Sequence, residues 1–238
     1  MSSFTLAWHF LIFGVLPYVV IAVLILGSLA RFVLAPFSWK SQSSEILDKK
    51  DIFWGANLFH IGVIFLFCGH CFGLFTPTEW LNAAGLTPRL HQMMEIICGG
   101  LSAIVAITGL IILTWRRLTN DRVRAASRPS DFWVLFLLLT VIILGIGCVV
   151  NSYLYDKSGA TIILLGGWVR GLFSFDYQAW QNILLVPDWQ KGHIFVGLII
   201  FLIVPFTRLV HIWSGYLSVF YLIRPHQIMR ANNGKPMK

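Results

Sequence analysis

The sequence predicts an all-α membrane protein: a bundle of five transmembrane helices, with the N-terminus outside and the C-terminus cytoplasmic. Three observations carry this. Of 238 residues, 57% are hydrophobic and 12% charged, with a mean hydropathy of +0.76; a soluble domain is typically about 25% charged. The apolar residues fall in five runs, each long enough to cross about 30 Å of hydrocarbon at about 1.5 Å per residue. The basic residues are lopsided. The segments after the first and third runs and the C-terminal tail hold 13 of the 18, the opposite side holds 4, and Arg208 lies inside the fifth run. Cytoplasmic segments carry such an excess, which sets the orientation.

Taken in order, the first span is Phe4 to Phe32, and Pro17 inside it predicts a kink whose freed backbone groups neighbouring helices must satisfy. A polar stretch, Ser38 to Asp51, follows. The second span is Ile52 to Phe75, and Thr76 to Arg89 reads as a loop containing Pro77 and Pro88. The third is Leu90 to Trp115. It leads into RRLTNDRVRAASRPSD, with five arginines: Arg116, Arg117, Arg122, Arg124 and Arg128. The fourth is Phe132 to Tyr153. Within the following segment, Leu154 to Gln190, the stretch Thr161 to Phe175 is too short to span and suits a helix at the outer interface. The fifth span is Lys191 to Trp213. Residues 1–225 thus form a single transmembrane domain, and 226–238 a polar cytoplasmic tail.

Several function classes are disfavoured. The net charge of +8 comes from clusters beside the spans, which points to anionic lipid and not to nucleic acid. Cys68, Cys71, Cys98 and Cys148 all lie in apolar runs and form no zinc or disulfide framework. His70 falls between Cys68 and Cys71, so covalent haem attachment is not indicated. The first span lacks a basic leader region and an A-x-A site, and reads as retained.

The chemistry lies in the histidines. Ionisable residues inside membrane spans are costly and imply function and a partner. Span five carries His193 and His211, five helical turns apart and so on one face. Span two carries His60 and His70. The two spans run in opposite directions, so matching depths pairs His70 with His193 and His60 with His211. Two imidazoles facing each other from adjacent helices are what a six-coordinate b haem needs. Two haem b are therefore expected, which makes residues 1–225 a dihaem domain. Gly62, Gly69, Gly73, Gly99, Gly100, Gly109 and Gly197 offer room for a macrocycle or for helix packing. The histidine steps on the two spans differ, roughly 15 Å against 27 Å for straight helices, and a kink at Pro205 is expected to absorb part of that.

Four segments together carry a family resemblance: SSEILDKK, ANLFHIGVIFLFCGHCFGLFTP, RRLTNDRVRAASRPSD and HIFVGLIIFLIVPFTRLVHIW. The chain resembles the gamma subunit, the cytochrome b membrane anchor, of respiratory nitrate reductase. The resemblance implies that His70 and His193 hold the outer, distal haem and His60 and His211 the inner, proximal one. It also implies quinol oxidation near the outer haem, at Gly69, His70 and the start of span three, where His91 stands in place of the family's lysine. Arg89 is a nearby alternative cation. Arg208, three residues before His211, is a candidate haem-propionate contact, or it faces lipid headgroups. The implied partners are an iron–sulfur subunit and a molybdenum catalytic subunit on the cytoplasmic face of the bacterial inner membrane, together with the quinol pool. Nitrate chemistry would belong to the partners. The rival readings are a haem anchor serving another respiratory oxidoreductase and a haem-free transporter relaying protons through its histidines.

Overall fold

The computed structural model describes residues 3–35, 38 and 50–213. The 226–238 tail, and with it the domain boundary at 225, lies outside the described residues. Five helices are long and apolar enough to cross a membrane: Ser3–Leu34, Ile52–Phe75, Pro88–Thr119, Pro129–Tyr155 and Asp188–Phe206, here spans one to five. A shorter apolar helix, Ala160–Phe173, follows span four. No strand occurs among the described residues. The chain is an all-α membrane bundle.

Large side chains such as Leu26, Phe65, Ile104 and Trp133 point outward, as a lipid-facing surface requires. Inside, span two packs on span three, three on four, four on five, and five on one. The seam between spans two and three depends on missing side chains. A Cβ on Gly62 would lie 2.5 Å from the Ala106 backbone nitrogen, and one on Gly109 would lie 2.2 Å from that of Phe59. Those two glycines thus serve helix packing. Spans two and five, which carry the histidines, are not among the closely packed pairs. Imidazoles reach across the space between them.

Pro17 is accommodated by a π turn at Leu11–Val15 just before it. Proline has no N–H for the carbonyl of Phe13, four residues back. Trp168 Nε1, from the short helix, donates to that oxygen at 2.8 Å. The short helix is further tied down by Tyr18, whose hydroxyl donates to Leu172 O at 3.0 Å, and by a core of Phe13, Trp168, Leu172, Ile183 and Val186. Its N-terminus is capped by Asp156, which accepts from the backbone N–H groups of Ser158, Gly159 and Thr161 at 3.0, 2.9 and 2.9 Å.

Three boundaries differ from expectation. The Thr76–Arg89 loop contains a helical turn, Thr78–Ala83. Span three starts at Pro88, because Thr87 Oγ1 caps it by accepting from Leu90 N at 3.3 Å. Span five is not one helix to Trp213. Its α-helix ends at Ile203, Val204–Phe206 is a 3₁₀ turn, Thr207 is extended (φ −120°, ψ −178°), and Arg208–Val210 is a second 3₁₀ turn. Pro205 causes this, since it cannot donate to Phe201 O. Val204 N takes that carbonyl instead, and Thr207 Oγ1 donates to Ile203 O at 3.0 Å. From span one, Arg31 Nη1 donates to Pro205 O at 2.8 Å and to Thr207 O at 2.7 Å. The carbonyls of Phe201, Ile203, Val204, Pro205 and Thr207 are thus all hydrogen-bonded through the break, as non-helical backbone at membrane depth requires.

Candidate functional site

The bundle brings the four span histidines together in two pairs, one toward each end. His70 and His193 have ring centres 6.0 Å apart with planes inclined 20°. His60 and His211 have ring centres 6.1 Å apart with planes inclined 71°. Because span five is broken at Thr207, the five-turn phase from His193 to His211 does not explain this. The redirected backbone after Pro205 delivers His211 to span two, and it also absorbs the unequal histidine steps.

Each of the four rings is oriented through Nδ1, on a backbone carbonyl. The acceptors are Ala56 O for His60 and Leu66 O for His70, both at 2.7 Å, Val141 O for His193 at 2.9 Å, and Arg208 O for His211 at 2.6 Å. A carbonyl only accepts, so each Nδ1 carries the proton and each Nε2 keeps its lone pair. That is the tautomer in which histidine ligates a metal through Nε2. His9 makes the same local bond to Thr5 O at 2.9 Å and has no facing histidine among the described residues, so the pairing, not the bond, marks the site. The His193 bond crosses between spans. It exists because Gly145 has no side chain: a Cβ there would lie 3.1 Å from His193 Cε1. Gly145 and Val141 were invisible in the sequence, since neither means anything until span four lies beside span five.

These residues fit haem. Two imidazoles bound to one metal at about 2.0 Å each, with ring centres roughly 1.1 Å beyond the nitrogens, stand about 6 Å apart. Both pairs do. Among the described residues, no group of three or more His, Cys, Asp or Glu side chains could hold a metal. Each pair therefore offers two donors, and the remaining positions would come from a macrocycle. Added Cβ atoms at Gly69, next to His70, and at Gly197, one turn after His193, would meet nothing within 4 Å, which leaves open space there.

At the His60–His211 end the charges are organised by Asp131, 3% exposed. It accepts from Arg208 Nε at 2.6 Å and from Arg208 Nη2, from Arg117 Nη1 at 3.1 Å, and from the Arg128 backbone N–H at 2.9 Å. Arg208 is thus held by a carboxylate of this chain, a role that neither a propionate nor a headgroup contact anticipated. Its carbonyl in turn orients His211.

At the other end, His91 is 5% exposed, its ring edge-on to Phe72 at 5.9 Å, and its Nε2 has no hydrogen-bond partner. It reaches Gly73, one turn beyond His70. Arg89 is engaged elsewhere, donating to Gln92 Oε1 at 2.8 Å and Asp156 O at 3.3 Å. His91 therefore lies against Phe72 and Gly73 of span two, one turn along from His70 and Gly69.

Fold and site together define a five-span helical membrane protein with two facing histidine pairs, one between spans two and five and one between span two and the segment that follows span five. Residues 9–232 match the family described as nitrate reductase gamma subunit. Respiratory nitrate reductase 2 gamma chain of Escherichia coli is 36% identical over 219 residues, covering 92% of this chain and 95% of that one. Nitrate reductase gamma chain of Bacillus subtilis is 35% identical over 224 residues, covering 94% and 98%. The chain belongs to the nitrate reductase gamma subunit family, and so to the membrane subunits of a multi-subunit oxidoreductase complex.

Proposed function

We propose that the chain is the quinol-oxidising cytochrome b subunit of a respiratory nitrate reductase in the bacterial inner membrane. His70 and His193 hold an outer haem b, and His60 and His211 an inner one. The observation that carries this is the pair of facing imidazoles at 6.0 and 6.1 Å between spans that otherwise stand apart. When bound, the haems supply one-electron redox chemistry between quinol and the partner subunits.

The chain's own residues do the rest. The carbonyls of Ala56, Leu66, Val141 and Arg208 fix the four rings with Nε2 available. The open space at Gly69 admits a flat quinol ring beside His70. His91 Nε2, buried and unpartnered, lies beside Gly73, one turn along from Gly69, and can accept a hydrogen bond from a quinol hydroxyl. The basic end, held by Asp131, faces the cytoplasm, where an iron–sulfur subunit and a molybdenum catalytic subunit dock. Quinol protons then leave on the outer side. The relatives' names and the basic bias of the connecting segments support this assignment.

An optical spectrum tests the reading. The purified complex, reduced with dithionite, should show the α band of low-spin b haem at two haems per gamma chain, and a quinol should reduce them. A sample with no such band would contradict it and favour a histidine-relay transporter.

A further inference from the structure

The mechanism above leaves the one carboxylate of span three unused. Glu95 opens the π turn Glu95–Gly99 of span three. It has no hydrogen-bond or ion-pair partner among the described residues, and π turns mid-helix are frequent at functional sites. Glu95 is exposed on the surface of the chain, within the length of a span, where an unpaired carboxyl is costly in lipid and calls for a function. The nearby cations do not neutralise it: Arg170 Nη1 donates to Leu74 O and Thr76 O, at 3.2 and 3.1 Å.

A missing side chain gives Glu95 room. A Cβ on Gly73 would stand 2.6 Å from Glu95 Oε1 and 3.4 Å from His91 Nε2. The two atoms are therefore no more than about 6.0 Å apart, beside the same glycine. Neither bonds the other, since His91 Nε2 is unpartnered. One hydroxyl group between them could donate to one and be steadied by the other. Gly73 lies one turn from His70, and Gly69, the open glycine, lies one turn back on the same face. A cleft lined by His91, Gly73, Thr76, Thr78 and Arg170 has room for about one water.

We propose that Glu95 is a catalytic residue of quinol oxidation: it binds one phenolic hydroxyl of the quinol beside Gly73 and His91 and takes its proton. The O–H bond of the hydroxyl breaks, and a carboxylic O–H forms on Glu95. The electron would be taken by a one-electron acceptor, the haem that His70 and His193 would hold in the proposed function. The proton then passes to the water cleft beside His91 and out at that membrane face. This rests on the quinol reading above.

The test compares Glu95→Gln and Gly73→Ala with the wild type in the intact complex, using a decyl-tailed quinol. Glutamine keeps the shape and cannot take the proton. The added methyl of Gly73→Ala pushes only the flexible end of Glu95, so it moves the carboxyl without breaking a backbone contact. Both variants should retain two haems by spectrum. Glu95→Gln should lower kcat by about 100-fold, the low end for loss of a general base, with KM changed less. Quinol oxidation in the wild type should raise a carboxylic-acid carbonyl band in the infrared difference spectrum, absent in Glu95→Gln. Gly73→Ala should shift that band and weaken quinol binding. Wild-type turnover and an unchanged band in Glu95→Gln would overturn the assignment of Glu95 while leaving the quinol site intact. A wild type that no quinol reduces would overturn both.

Discussion

Gly145 shows how much a single position can decide. His193 is oriented by Val141 O on a different helix, and the ring reaches it only because Gly145 leaves room. Partners that orient a ligand are worth about 10–100-fold in metal affinity. Gly145→Val should therefore weaken haem retention at the His70–His193 pair by about that factor while the His60–His211 pair keeps its haem. Haem-to-protein stoichiometry and spectrum check this; two haems at wild-type occupancy would contradict it. The histidines were legible in the sequence because an ionisable residue in an apolar run is conspicuous, and so is its depth. Gly145 was not, because a glycine in a span has several uses and only the neighbouring helix distinguishes them. Glu95 was legible as a charge but not as a site, since its meaning comes from Gly73 and His91.

Span five carries the same lesson for a helix. Pro205 in the sequence predicted a bend. The extended Thr207 and the second 3₁₀ turn were beyond prediction, because what permits them is Arg31, 174 and 176 residues from the carbonyls it satisfies. The short helix Ala160–Phe173 was recognised by its length and apolarity, and its anchor is chemical. Burial of the Asp156 carboxyl tends to raise its pKa, but hydrogen bonds from Thr161 and Ser158 outweigh that and hold it down at about 2. A carboxyl depressed in this way contributes stability above its ordinary pKa and loses it as the pH falls through the folded value. The cap should therefore be intact at neutral pH and lost between about pH 4 and 2. Asp156→Ala should reproduce the acid state at pH 7, with faster amide exchange over residues 158–163. Exchange there that is unchanged by the substitution would contradict the capping role.

For the whole molecule, the packing order leaves spans two and five facing each other across a space, with an imidazole pair toward each end. Composition and basic bias suffice to see five spans and a sidedness. They do not show which helices stay apart, which depends on where glycines let neighbours close: Gly62 and Gly109 draw span two onto span three, and Gly147 meets Trp189 between spans four and five. The gap opposite is what remains. If it holds two haems, ligands must act in pairs. Haem spectra of the four single variants His60→Ala, His70→Ala, His193→Ala and His211→Ala test this. His70→Ala and His193→Ala should each lose one and the same haem species, and His60→Ala and His211→Ala the other. Losses that cross between the pairs, or a wild type without haem, would contradict it.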